Sequence, residues 1–156
     1  ISALTVGVGF LLHELAHKVL AQKYGAIAEF RAFNPMLLFA LVLAFFRSPI
    51  IFAAPGAVMV HGGNINIKKY GKISLAGPLT NLVLAVLFLI PALILAKTGT
   101  INIFFNFGFK INALLALFNM IPVMPFDGAK VIAWSKPVYY ATAILSLALF
   151  LASYLI

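Results

Sequence analysis

Long uncharged apolar runs alternate with short polar turns along this chain. The first run covers residues 1–21, and about 20 helical residues are enough to cross a bilayer. It therefore predicts a membrane-spanning helix. Residues 74–96 and 138–156 form two more runs of this kind, and a further helix is expected at about 103–121, where two prolines stop it.

The pattern is less regular between the first two runs. Residues 28–33 alternate polar and apolar side chains, which predicts a β-strand, and the alternation at 65–67 predicts another short one. Residues 33–60 are apolar but interrupted by prolines, which favours a hairpin or re-entrant segment packed against protein. The predicted fold class is an α-helical integral membrane protein, a polytopic helix bundle with short strand or re-entrant elements between about 28 and 67.

Composition excludes a sizeable soluble domain. Hydrophobic residues make up 64% of the 156 residues and charged residues 9%, whereas soluble domains have roughly 45–50% and about 25%. The length suits one membrane-embedded domain over residues 1–156. Because the chain starts at Ile1 without a methionine, we expect at least one further segment upstream of it.

The positive charge indicates orientation in a lipid bilayer rather than binding to nucleic acid. The net charge is +8, but the lysines cluster at the ends of apolar runs and do not alternate with aromatic residues. Positive loops face the cytoplasm. We therefore expect the protein in the cell membrane. If the segment at 33–60 returns to the side it left, seven lysines lie together on the cytoplasmic side: Lys18, Lys23, Lys68, Lys69, Lys72, Lys130 and Lys136.

The first apolar run contains the motif His-Glu-x-x-His. His13 and His17 are four residues apart, so a helix places both imidazoles on one face, where they form half of a zinc site. The neighbouring Glu14 is placed to accept a proton from water at the metal. The chain has no cysteine, so further ligands must be His, Asp or Glu.

Three other polar residues are candidates for the site. Asp127, the only aspartate, follows two prolines and precedes Gly128, so it could complete a His, His, Asp zinc site or form an Asp-Gly turn at the interface. Asn81 lies inside a predicted helix, either as a contact between helices or as a donor to the active site. His61 precedes a glycine turn, where a histidine is more often a loop residue.

Three motifs, taken together, resemble the site-2 protease family of intramembrane zinc metalloproteases. They are LLHELAH at 11–17, AGPLTN at 76–81 and NMIPVMPFDG at 119–128. The resemblance implies one zinc per chain, with His13, His17 and Asp127 as ligands and Glu14 as general acid and base. It also implies that Asn81 holds substrate or the developing oxyanion, and that Asn119 is structural.

The resemblance also implies the reaction. Family members cleave transmembrane helices of regulatory proteins and release cytoplasmic signalling fragments, so the expected partner is a transmembrane protein substrate. The resemblance also implies a transmembrane helix upstream of the His-Glu motif, and we expect these 156 residues to include neither the PDZ nor the nucleotide-sensing domain of many relatives. The residues leave one alternative open, a membrane transporter or channel with an intramembrane His, Glu and Asp metal or proton site. The sequence does not predict an oligomeric state.

Overall fold

The computed structural model describes residues 2–32, 56–62, 64–95 and 99–156. These residues form a mostly helical bundle with one two-stranded sheet, which confirms the predicted fold class. A hairpin or re-entrant segment was predicted at 33–60. Residues 33–55 of it lie outside the described residues, and residues 56–60 belong to a strand. The elements in order are α1 (Ser2–Lys23), β1 (Ile27–Ala32), β2 (Gly56–His61), α2 (Ile67–Ile94), α3 (Thr100–Asn119), α4 (Asp127–Trp134) and α5 (Lys136–Ala152).

Three of the helices in the described part of the chain are long and apolar enough to cross a membrane. They are Leu4–Lys23 in α1, Ile67–Ile94 and Thr100–Asn119. The run predicted to span at 138–156 forms α5, which has only 17 residues. At about 1.5 Å per residue this helix is roughly 26 Å long, a little less than the hydrocarbon core of a bilayer.

The bundle buries many small and polar side chains and exposes many large apolar ones. Leu11, Leu15 and Val19 on α1 are exposed, as are Val83 and Leu87 on α2. Lipid is as apolar as leucine, so membrane helices pack through small residues and interhelical hydrogen bonds instead. Among the residues that the structure describes, the buried polar ones are Thr5, His13, Glu14, His17, Ser74, Asn81, Asn102, Asn112, Asp127, Thr142 and Ser146.

The strand predicted at 28–33 is confirmed as β1, which pairs antiparallel with β2 in the register Phe30↔Val58. The prediction of a strand at 65–67 is wrong, because Asn66 is the N-cap of α2. Its side-chain oxygen accepts a hydrogen bond from the backbone N–H of Lys69 at 2.9 Å, and asparagine is among the preferred N-cap residues. The helix therefore begins at Ile67 and includes the lysines that follow.

Helix α2 is the centre of the bundle and contacts α1, α3 and α4. Helix α3 ends at Asn119, before the two prolines, as predicted. Asp127 and Gly128 do not form a tight turn but open α4, whose Val131 is buried against Met120 and Tyr139. This packing fixes α4 beside α2 and brings its first residue into the bundle.

Candidate metal centre

His13 and His17 lie on the buried face of α1, as their spacing predicts. Their Nε2 atoms are 3.0 Å apart, and the two rings meet edge to face at 84°. Both side chains are buried, with 3% and 7% of the residue surface exposed. The two imidazoles therefore point at one place inside the bundle.

Asp127 joins the two histidines from a part of the chain more than a hundred residues away. Its Oδ2 atom is 3.0 Å from Nε2 of His17 and 3.4 Å from Nε2 of His13. The three ligand atoms lie within 4.8 Å of one another, and no other group of three His, Cys, Asp or Glu residues is found in the described part of the chain. The predicted ligand set is thus brought together.

Hydrogen bonds on the far side of each ring orient the histidines. Nδ1 of His17 is 2.7 Å from the backbone carbonyl oxygen of Ile73, which can only accept a hydrogen bond. Nδ1 of His13 is 2.5 Å from Oδ1 of Asn81. With the hydrogen on Nδ1, each Nε2 can direct its lone pair at a metal, and such partners generally fix the tautomer of a metal-binding histidine.

Glu14 lies beside this group and is held by the sheet. The backbone N–H of Val58 in β2 donates a hydrogen bond of 3.0 Å to its Oε2 atom. The carboxylate is close enough to interact electrostatically with His13, His17 and Asp127, and only 9% of the residue is exposed. This position suits a group that exchanges protons next to a metal rather than one that binds it.

Lys130 holds the other side of the Asp127 carboxylate. Burial acts to raise the pKa of Asp127, but the charge of His17, hydrogen bonds to both histidines and the charge of Lys130 outweigh it, so this pKa lies well below its usual range. Asp127 is therefore held as a carboxylate, which is the form that binds a metal.

Asn81 is fully buried and lies behind His13 rather than beside the ligand atoms. Its Nδ2 atom donates to the carbonyl oxygen of Gly9 at 3.2 Å and to Oδ1 of Asn112 at 3.0 Å. Both N–H bonds are therefore used within the protein, whereas a substrate or oxyanion donor needs an N–H directed at the site. The geometry favours a role in orienting His13 over the donor role implied by the resemblance.

The remaining candidates lie apart from the ligand atoms. Nδ2 of Asn119 donates to the carbonyl oxygen of Leu115 one turn earlier in α3, at 2.9 Å, which fits its expected structural role. His61 is exposed at the end of β2 and does not belong to the cluster.

Sequence reasoning missed several contributors, because their part depends on contacts between distant segments. The carbonyl of Ile73 and the N–H of Val58 belong to the backbone, so no side-chain pattern marks them. Lys130 lies one turn after Asp127 on α4, and that spacing could have indicated an ion pair. Asn112 is a polar residue within an apolar helix, which is a signal in itself.

The residues fit a zinc ion. Two imidazole nitrogens and one carboxylate oxygen are the donor set of catalytic zinc sites that leave a fourth position for water or substrate. Gly77 of α2 lies directly against the ligand atoms, and a Cβ there would overlap Nε2 of both His13 and His17. The glycine therefore keeps open the space in which these ligand atoms converge.

The amino-acid sequence is similar to three curated proteins with the same kind of name. "Putative zinc metalloprotease MJ0611" of Methanocaldococcus jannaschii is 46% identical over 136 residues, which are 86% of this chain and 70% of that protein. "Putative zinc metalloprotease YwhC" of Bacillus subtilis is 30% identical, over 83% of this chain and 66% of that protein.

A third relative is much longer than this chain. "Putative zinc metalloprotease Rip3" of Mycobacterium tuberculosis is 32% identical over 126 residues, which are 78% of this chain but only 27% of that protein. No family model matches the chain, and no solved structure matches it.

Proposed function

The chain belongs to the site-2 protease family of intramembrane zinc metalloproteases, and from this membership we propose that it hydrolyses peptide bonds within or near transmembrane helices of other membrane proteins. The proposal includes regulated intramembrane proteolysis, in which the cut releases a cytoplasmic fragment of a regulatory protein. One structural observation carries it. His13, His17 and Asp127 converge beside Glu14 inside a bundle whose described part has three helices of membrane-spanning length.

One zinc ion per chain, held by His13, His17 and Asp127, is part of the proposal. When bound there, zinc would polarise a peptide carbonyl and lower the pKa of a neighbouring water to about 7. The rings present Nε2 because their Nδ1 atoms are engaged with Asn81 and Ile73. Asp127 presents Oδ2, since Lys130 is bound to Oδ1.

Glu14 performs the proton transfers in this proposal. The N–H of Val58 holds Oε2, which fixes the plane of the carboxylate, and we assign the proton to Oε1. Glu14 takes a proton from the attacking water and later gives it to the nitrogen of the leaving amine. Burial of the site excludes bulk water, which strengthens these electrostatic interactions.

We propose that the site lies toward the cytoplasmic side of the cell membrane. Three contacts place lysines at the end of the bundle that holds the metal cluster. Lys69 lies over the ring of Tyr24 at 5.9 Å, Lys130 lies over Tyr70 at 5.7 Å, and Lys130 contacts Asp127. An excess of positive charge marks cytoplasmic ends.

The alternative of a transporter or channel requires a path. Proteins that move metal ions or protons present ionisable groups at several depths along the membrane. The part of the chain that the structure describes contains a single group of potential metal ligands. The protease proposal uses all members of that group, so we favour it.

Cleavage by a variant that retains zinc tests the function. Wild type and Glu14→Gln would be reconstituted in liposomes with a set of single-pass transmembrane peptides, and products would be identified by mass spectrometry. Glutamine keeps an acceptor for the N–H of Val58 but cannot carry the proton. We expect cleavage of at least one peptide by wild type, at least a hundredfold less by Glu14→Gln, and equal zinc content. Equal cleavage by both proteins would refute the proposed role of Glu14.

A further inference from the structure

Two buried amides connect His13 to the neighbouring helices. Asn81 of α2 accepts from Nδ1 of His13 and donates to the carbonyl oxygen of Gly9 and to Oδ1 of Asn112. Asn112 of α3 in turn donates to the carbonyl oxygen of Gly108 at 2.9 Å. Both asparagine residues are 0% exposed, so no bulk water competes for these bonds.

The donor and acceptor of each hydrogen bond in this series follow from the backbone carbonyl groups of Gly108 and Gly9. A backbone carbonyl can only accept, so Gly108 requires the NH₂ of Asn112 and Gly9 requires the NH₂ of Asn81. The side-chain oxygen of Asn112 must then face Asn81, and the oxygen of Asn81 must face His13. His13 therefore carries its hydrogen on Nδ1, and its metal-binding atom is Nε2.

The backbone leaves little space around Asn112. Gly9 lies one helical turn before His13 on α1, and a Cβ at this position would overlap Oδ1 of Asn112. The side chain of Asn112 is thus confined by α1 on one side and by its bond to Gly108 in its own helix. A confined amide can hold Asn81, and through it the ring of His13, in one orientation.

We propose that Asn112 is a positioning residue of the zinc centre, which acts through Asn81 to fix the tautomer and orientation of His13. The inference rests on the proposed function only in that His13, His17 and Asp127 bind zinc, and it does not require proteolysis. Partners behind a metal-binding histidine typically contribute 10- to 100-fold to metal affinity. A pair of buried amides between membrane helices could instead serve only to hold α2 and α3 together.

A second amide in α3 offers a matched control for this distinction. Asn102 is 5% exposed, donates to the carbonyl oxygen of Ala92 in α2 at 3.2 Å, and accepts from Asn106. It joins the same two helices as Asn112 does but does not contact His13 or Asn81. Asn112→Leu and Asn102→Leu therefore remove comparable helix contacts, and only the first removes the support of the zinc ligand.

Zinc affinity of the full chain in detergent, measured by competition with a chelator, is the decisive quantity. We expect Asn112→Leu to weaken zinc binding about tenfold or more, while Asn102→Leu changes it less than about twofold. Thermal unfolding of the zinc-free proteins, recorded alongside, reports the loss of helix contacts separately. Equal zinc affinity in wild type and Asn112→Leu would overturn the inference, as would equal losses in the two variants.

Two further measurements keep the proposal testable if Asn112→Leu does not fold. Asn112→Asp as a neutral acid can donate to Gly108 and accept from Asn81, so it should bind zinc nearly as wild type does. The chain has three histidines, so ¹⁵N-histidine labelling of the zinc-free protein gives a simple spectrum. His13 should show Nδ1–H in wild type, and the opposite tautomer there would refute the inference. A wild type that binds no zinc would instead refute the proposed function.

Discussion

The Asp127 carboxylate is shared between the candidate metal cluster and Lys130. Its Oδ2 atom is 3.0 Å from Nε2 of His17, while Oδ1 is 3.3 Å from Nζ of Lys130. One oxygen is thereby available to a metal, and the other is paired with the Nζ atom of Lys130. Lys130 is itself partly buried, and its Nζ atom lies 5.7 Å from the centre of the Tyr70 ring.

Removal of Lys130 should tighten zinc binding. Without a metal, the ammonium group compensates the buried charge of Asp127, and with zinc bound the two cations repel each other. We expect Lys130→Met to lower the stability of the zinc-free protein and to decrease the zinc Kd about fivefold. Lys136→Met, at the exposed start of α5, is the control and should change neither. Weaker zinc binding by Lys130→Met would contradict this prediction. It would show that Lys130 favours zinc binding by orienting Asp127 more than it opposes it by charge repulsion.

Each of the three ligands should be required for zinc. Single alanine substitutions of His13, His17 and Asp127 should reduce zinc per chain from one to a small fraction, as measured by elemental analysis after gel filtration. His61→Ala is the matched control, because this histidine is exposed and lies outside the cluster. Full zinc occupancy in Asp127→Ala would remove Asp127 from the ligand set.

A methyl group at Gly77 should abolish zinc binding while leaving the helix intact. The Cβ would overlap Nε2 of both histidines, so we expect Gly77→Ala to weaken zinc binding at least a hundredfold. Alanine favours a helix over glycine by about 1 kcal/mol, so helix content by circular dichroism should not fall. Gly7→Ala in α1, where a Cβ meets nothing within 4 Å, should bind zinc normally. Normal binding by Gly77→Ala would contradict the close approach of α2 to the ligands.

Asn81→Ala separates two roles for this residue. If Asn81 orients His13, its loss should weaken zinc binding about 10- to 100-fold, and excess zinc should restore part of the cleavage rate. If it donates to substrate or an oxyanion, zinc binding should be normal and the rate should fall about a hundredfold or more at saturating zinc. Zinc affinity, cleavage rate and thermal stability are measured on the same sample. The contacts of both N–H bonds lead us to expect the first result.

Single introduced cysteines can establish which side of the membrane the site faces. The chain contains no native cysteine, so labelling with an impermeant maleimide has no background. The two substitutions are Lys68→Cys and Thr100→Cys. Lys68 lies at the start of α2, Thr100 is the first residue of α3 after the connection from the end of α2, and both positions are exposed. Thr100 is preferred to Gly99, whose φ of 116° disfavours a side chain. We expect labelling at 68 from the cytoplasmic side and at 100 from the opposite side, and labelling of both from one side would refute this topology.

The amino-acid sequence alone was enough for the features that depend on neighbouring residues. The four-residue spacing of His13 and His17 implies a shared helix face because of the helical period. The lengths of the apolar runs predict helices because every backbone polar group in a bilayer must be bonded within the segment. Local chemistry also explains one error, since the side-chain oxygen of Asn66 caps a helix where alternation had predicted a strand.

The tertiary structure decided which side chains of distant segments meet and how they are oriented toward one another. Asp127 was a candidate because it is the only aspartate, but only the packing of α4 brings its Oδ2 atom to the histidines. The sequence predicts Asn81 either as a contact between helices or as a donor to the active site, and the fold places it behind His13. A side chain carries no information about which carbonyl will accept from it 31 to 72 residues away. Those partners are chosen when buried polar groups, deprived of water, must all find a hydrogen bond within the folded bundle.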